Sequence, residues 1–235
     1  MSGVALDIEV LARGADDISL VERAYREVLG PSFTSDELPP FDILRPMLEV
    51  ATVVVAFEEG ELVCVAVVEH EENELIALLS YLAVRPGRRN GGIGKALMDR
   101  LRALWREQGI PVVLGEVHDP RRWDAMPDEL PVARLRFYER QGARVLAAPW
   151  VQPRLWPGGE RVPGMLLLVI YAEQDLESVP ASRVATWMAD YYAECEGPSA
   201  STDATLRELL DRVHAVDPVP VLAVSALESI PSFDC

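Results

Sequence analysis

Residues 81–105 read YLAVRPGRRNGGIGKALMDRLRALW, and three local signals follow one another within them. An apolar strand ends at Val84 and runs into Pro86, which has no N–H to continue a ladder. Gly87, Gly91, Gly92 and Gly94 then allow positive φ and close approach to bare backbone. From Ile93 onward, Ile93, Leu97, Leu101 and Leu104 recur at helical spacing and mark one buried face. Gln108 and Gly109 end that helix, with glycine where a left-handed cap is expected. Free N–H groups at a helix N-terminus, with Arg88, Arg89 and Lys95 beside them, predict an anion site for a phosphate or pyrophosphate.

Spacing separates the glycine-rich phosphate loops that compete for this stretch. A P-loop requires glycine five residues before its Gly-Lys pair and a hydroxyl residue after it. Here those places hold Arg89 and Ala96. A dinucleotide fingerprint requires a third glycine where Leu97 stands. What remains is Arg89-x-x-Gly92-x-Gly94, preceded by Val84-x-Pro86 and followed by Leu97. That arrangement closely resembles the coenzyme A loop of the GNAT superfamily of acyl-CoA N-acyltransferases. A second segment, ARLRFYERQGARVL at 133–146, is similar to the family's other coenzyme A segment: a helix with a tyrosine, then glycine and a strand. The resemblance spans roughly residues 4–172.

Composition bounds the partners. With 235 residues, 49% hydrophobic and 26% charged, the chain has the make-up of a globular protein with a sizeable core. A formal net charge of -16 opposes nucleic acid or an anionic membrane as the main partner and tolerates a cationic small molecule. Asp7 and Glu9 interrupt the first residues, against a signal peptide, and no apolar run is long enough to span a bilayer. The scattered, odd-numbered Cys64, Cys195 and Cys235 read as reduced thiols, so a cytoplasmic protein is expected. His70, His118 and His214 share no ligand spacing with those cysteines, so no metal is expected.

Taken in order, residues 4–10 read as a first strand, and Asp16 and Asp17 as the cap of a helix carrying Leu20, Val21, Ala24 and Val28. A short helix is expected around Ile43 to Leu48, then a hairpin of 51–57 and 62–68 about Gly60. Runs apolar on both faces predict strands covered on both sides. A strand at 74–84 leads into the glycine loop, and another at Val112 to His118 points Glu116 and His118 to one face. Residues 119–131 form a long loop of the kind that often serves binding. Pro131 can begin a helix with Leu130, Ala133 and Phe137 along one line and Tyr138 at its edge. Strands at 143–150 and 164–172 complete a mixed α/β sheet flanked by helices. The expected GNAT-like domain covers residues 1–172, and residues 173–235 read as a mostly helical appendage with a strand near 219–225. In that tail Val184, Trp187, Met188 and Tyr191 form a helical stripe.

What the resemblance implies is chemical. Loop amides at Arg89, Asn90, Gly91, Gly92, Ile93, Gly94 and Lys95 would bind the pyrophosphate of acetyl-CoA, the co-substrate. Backbone groups of Leu82, Ala83 and Val84 would hold the pantetheine arm, one amide polarising the thioester carbonyl. Tyr138 would act as general acid for the departing thiolate. An alkylammonium with pKa about 10.4 costs roughly 4–5 kcal/mol to deprotonate at pH 7, so a base or water must take its proton. Glu116 is the first candidate and His118 the second; Tyr81 reads as core. The family's frequent carboxylate on the fourth strand falls here on Leu78, and Pro131 stands where its second segment usually opens with asparagine. The implied activity is acetyl transfer from acetyl-CoA to a primary amine by direct attack in a ternary complex. The alternative is a non-catalytic acyl-CoA sensor or interaction module that kept the loop and lost the base. Dimers are common in such proteins, and the tail offers a surface for a second subunit.

Overall fold

The β-branched runs on either side of Glu59-Gly60 form the hairpin the sequence predicts, β2 at Thr52–Glu58 and β3 at Glu61–Glu69. Both turn residues have positive φ, 53° and 81°, the backbone that matches the twist of the flanking strands. The computed structural model describes residues 6–11, 18–70, 75–123 and 130–230. The expected cap at Asp16 and Asp17, the first residues of the strand begun at residue 4, residues 124–129 of the 119–131 loop and Cys235 lie outside those residues. The structure has two compact units, Met1–Pro111 and Val112–Cys235.

In the first unit β1 (Leu6–Leu11), β2, β3 and β4 (Ile76–Val84) pair antiparallel in that order. One sheet face carries Val53, Val55, Val65, Val67, Tyr81 and Ala83. It packs on α1 (Ile18–Ala24), on the π-helical turn Tyr25–Leu29 that continues it, and on α2 (Phe41–Val50). The amphipathic α3 (Ile93–Glu107) buries Leu97, Met98, Leu101 and Trp105, and it touches all four strands. Coverage by helices explains why β2 and β3 are apolar at nearly every position. Two bulges adjust the ladder. One leaves Val63 unpaired on β3, the other leaves Ser80 unpaired on β4.

Between β4 and α3 the backbone turns sharply. Arg88 N–H donates to Arg85 O at 3.0 Å, with Pro86 and Gly87 at the two central places and Gly87 at φ 85°. That is the signature of a type II turn. Left-handed conformations recur at Asn90 (φ 68°) and at Gly92 (φ 85°), the residue capping α3. Gly91 and Gly94 do not adopt positive φ, so two of the four expected glycines are present for another reason. Gly94 is buried in the first turn of α3.

In the second unit β8 (Val162–Ala172) is the spine. Along one edge it pairs with β5 (Val112–His118), and its other edge is shared by β7 (Trp150–Gln152) and β6 (Arg144–Leu146). β6 pairs onward with β10 (Val219–Leu222), and β10 with β9 (Ser178–Val179), all antiparallel. The tail is therefore built into this sheet. Helix α4 (Leu130–Arg140) buries Pro131, Leu135 and Tyr138, spaced four and three apart. That is a different line from the predicted one, for Ala133 is exposed and Phe137 only half-buried. Helix α5 (Ala181–Glu196) buries Val184, Ala185, Met188 and Tyr192, and α6 (Ala204–His214) buries Leu206, Leu209 and Val213.

One polar cluster fastens this unit. The Arg161 guanidinium, half-buried, meets Glu196 at 2.5 Å and Asp203 at 2.9 Å. Asp203 also caps α6 through the Leu206 N–H. Hydrogen bonds from Arg161 hold both carboxyls below the usual carboxylate range, and burial opposes this only in part.

Local backbone and this cluster each set a testable expectation. Gly92→Ala should lower the unfolding free energy by about 1–2 kcal/mol, the cost of a left-handed Cβ. Gly91→Ala should leave it unchanged or raise it by up to about 1 kcal/mol; urea titration of both variants checks the contrast. Arg161→Met should destabilise by about 2–3 kcal/mol at neutral pH, because it leaves two carboxylates without their cation. A carboxyl whose pKa is depressed on folding contributes stability above its unfolded value and loses it as pH falls through the folded one. The gap between wild type and Arg161→Met should therefore close between about pH 5 and pH 2, read from thermal unfolding across that range.

Candidate active site

The expected cofactor residues lie in the first unit, where β4 delivers them to α3. Leu82 and Val84 are half-buried and Ala83 is buried, opposite Ala66, Cys64 and Val65 of β3. Residues 86–92 are exposed. A Cβ on Gly87 or Gly92 would meet nothing within 4 Å, so the space above the turn is open. The first amides of α3 have no intrahelical acceptor; the i→i−4 ladder starts with Ala96 N–H donating to Gly92 O at 3.0 Å. Exposed amides, left-handed residues and the positive end of a 15-residue helix dipole fit the phosphates of a nucleotide coenzyme.

The charges around that loop are more unequal than the sequence implies. Arg88 donates to Glu58 at 2.8 Å and to Glu61 at 3.1 Å, which ties the loop to the β2–β3 turn and neutralises the arginine. Lys95 pairs with Asp99 one turn along the helix. Arg89 is the remaining cation: its hydrogen bond to Val84 O is long at 3.5 Å, and among the described residues it has no carboxylate partner. Tyr81 belongs to the core as expected, 5% exposed, its hydroxyl donating to Glu37 O at 3.1 Å. Leu78 is buried, and directly opposite it in register stands Glu69, which accepts from the Ser80 hydroxyl at the bulge.

The catalytic candidates lie in the second unit. Tyr138 is on the buried face of α4, 7% exposed, with Phe137 edge-on at 5.2 Å. Glu116 is half-buried near the end of β5 and accepts side-chain hydrogen bonds from three neighbours. Trp150 Nε1–H donates at 2.6 Å to one oxygen; Gln152 Nε2–H at 3.0 Å and the Tyr191 hydroxyl at 3.3 Å donate to the other. His118, two residues on, is buried at 4% exposure and sits 4.4 Å from the Trp123 ring. Glu116 is thus oriented by neighbours, whereas His118 is enclosed against an indole.

Sequence reasoning missed Trp150, Gln152, Trp187 and Tyr191 as site residues. Trp150 and Gln152 fall at alternate positions of a three-residue strand, too short to show a period. Trp187 and Tyr191 are one helical turn apart, the spacing of any packed helix face. Only the fold brings them to Trp150, with ring centroids at 5.4 and 6.1 Å. Among the described residues no cluster of His, Cys, Asp and Glu could hold a metal ion, and no helix is long and apolar enough to cross a membrane.

Residues 49–142 match the acetyltransferase (GNAT) domain family, a span that includes the loop, Glu116 and Tyr138. No curated protein matches the chain. Among solved structures, a protein assigned to the GNAT family of acetyltransferases, from Bacteroides thetaiotaomicron, is 19% identical, with 71% of this chain and 88% of that one covered and a TM-score of 0.56. The ribosomal-protein-S18-alanine N-acetyltransferase of Escherichia coli is 17% identical, covering 73% and 99%, at 0.48. A GNAT family acetyltransferase from Elizabethkingia anophelis, with acetyl-CoA bound, is 15% identical, covering 69% and 95%, also at 0.48. The first of these matches shows the shared mixed α/β fold. Residues 49–142 are thus similar to an acetyltransferase (GNAT) domain, on a fold shared with a solved GNAT family protein.

Proposed function

We propose that the protein is an N-acetyltransferase that moves an acetyl group from acetyl-CoA to the nitrogen of a primary amine, by direct attack within a ternary complex. The observation that carries this reading is the loop at 85–95: open above its glycines, rich in exposed amides, and holding Arg89 without a carboxylate partner among the described residues, inside the segment that matches the family.

Each residue then has a chemical task. Amides of residues 89–95 and the Arg89 side chain hold the pyrophosphate. The main chain of Leu82, Ala83 and Val84 hydrogen-bonds the pantetheine arm, one N–H receiving the charge that develops on the carbonyl oxygen. The amine reaches the site as an ammonium and loses a proton to Glu116, directly or through water. Its lone pair forms the C–N bond while the C–S bond breaks, and the nitrogen sheds its second proton to solvent as the amide forms. Tyr138 gives a proton to the departing sulfur, whose thiol pKa of about 8.5 lies below the phenol's of about 10, so the proton is shared as charge builds. Glu116 passes its proton to solvent and solvent restores Tyr138, so one net proton is released per amide formed. Donors on Glu116 support this role, because a base must be held in one orientation to meet its proton.

Calorimetric titration with acetyl-CoA, followed by thiol release across a panel of primary amines, tests the assignment. Saturable binding with amine-dependent release is expected. Binding without release from any amine would favour the sensor, and absence of binding would remove the loop assignment. Arg89→Ala should weaken coenzyme A binding by about tenfold, the loss of one charge-assisted contact. Tyr138→Phe should lower turnover by about a hundredfold while leaving coenzyme A binding within about a factor of two of wild type, as removal of a general acid predicts.

A further inference from the structure

Gln152 has a second oxygen-bearing end to account for. Its side chain is buried, 6% exposed, and while Nε2 donates to Glu116, the carbonyl Oε1 is buried with no hydrogen-bond donor. Rotating the amide by half a turn would not help, since it would set Oε1 against the Glu116 carboxylate, acceptor against acceptor. An acceptor taken out of water without a donor raises the free energy of the state that contains it, and a ligand N–H relieves that cost. Two acceptors therefore stand together: a carboxylate and an amide oxygen, joined through the same Gln152 amide.

The walls beside them are aromatic. Trp187 and Tyr191 lie one turn apart on α5, near-parallel at 16° with centroids 5.5 Å apart, and both rings are half-exposed. Trp150 backs them at 5.4 and 6.1 Å, and is itself locked by its hydrogen bond to Glu116 and by Tyr192 edge-on at 5.8 Å. Tyr192 is anchored in turn by donating to Val151 O at 2.8 Å. Partly exposed aromatic residues next to a carboxylate select a cation attached to an apolar body, by ring quadrupole and by area. They oppose carboxylates and phosphates. The net charge of -16 works in the same direction during encounter.

We propose that Glu116, Gln152, Trp187 and Tyr191 form a subsite for an arylalkylammonium, the ammonium N–H groups donating to Gln152 Oε1 and Glu116 and the apolar body lying on the Trp187 and Tyr191 rings. Calling this ligand the acetyl acceptor rests on the acetyl-transfer reading; its binding does not. The tail that contains α5 then selects the acceptor.

The test is calorimetry on the full-length protein at two temperatures, with phenethylammonium chloride and its neutral counterpart 2-phenylethanol as probes. The ammonium is expected to saturate, and the alcohol to bind at least about tenfold more weakly, as loss of the charge beside Glu116 and the rings predicts. Trp187→Ala should weaken the ammonium by about tenfold with an unchanged circular-dichroism spectrum. Tyr191→Phe, which keeps the ring and removes the hydroxyl, should weaken it by about two- to threefold and serves if Trp187→Ala does not fold. Equal affinity for the two probes, no saturation by the ammonium, or indifference to both variants would overturn the subsite. Ammonium binding that depends on Trp187, with no thiol release from any amine, would leave the subsite standing and remove acetyl transfer. Thiol release from amines with kcat/KM unchanged in Trp187→Ala would do the reverse.

Discussion

A single half-buried carboxylate organises much of the second unit, because an acceptor partly withdrawn from water requires donors and those donors must come from somewhere in the chain. Glu116 draws the Trp150 indole and the Gln152 amide from β7 and the Tyr191 hydroxyl from α5, which fixes two elements against β5 by direct hydrogen bonds. A strand of three residues has little reason to hold its register alone, but Trp150 and Gln152 point to the same face and both end on this carboxylate. The aromatic stack of Trp150, Trp187, Tyr191 and Tyr192 fills the space behind it. Orientation and packing use the same atoms here: of the groups that orient the carboxylate, the Tyr191 hydroxyl also ties α5 to β5.

In the first unit the governing constraint is backbone geometry. A type II turn and two left-handed residues bring the chain from the end of β4 at Val84 to the N-terminus of α3 at Ile93. Residues 86–92 on that path are exposed, and its left-handed positions at Gly87, Asn90 and Gly92 would be strained for most side chains. Arg88, held by Glu58 and Glu61, ties the loop to the neighbouring hairpin turn, so an arginine that looks like a ligand for an anion acts as a strut. Arg89 keeps its charge available. Adjacent residues of the same type thus have different roles, separated only by what lies across from each.

The acidic tail has the two helices its pattern predicts, and more joins it to the second unit than those helices. Its helices have the apolar stripes of any amphipathic pair, which reads as an appendage with a surface to cover. In the structure β9 and β10 extend the β8–β6 sheet, and Arg161, on the approach to β8, meets Glu196 at the end of α5 and Asp203 just before α6. Three charged groups from distant parts of the chain close that arrangement. No spacing rule announces a cluster formed across 35 and 42 residues.

Much was legible without coordinates, and the reasons are local ones. Alternation and β-branching mark β2 and β3, glycine after proline marks the turn at Gly87, and a helical period marks α3, since these depend on neighbours within a few positions. The loop at 85–95, with its spacing, carried the family resemblance. Local pattern was weaker where a helix face is decided by what it packs against, so α4 turned Leu135 and Tyr138 inward in place of Ala133 and Phe137. The tertiary structure alone decided which of Arg88, Arg89 and Lys95 is neutralised. It alone joined Glu116 to Trp150, Gln152 and Tyr191, because hydrogen bonds between residues 34 to 75 positions apart depend on the path of the whole chain.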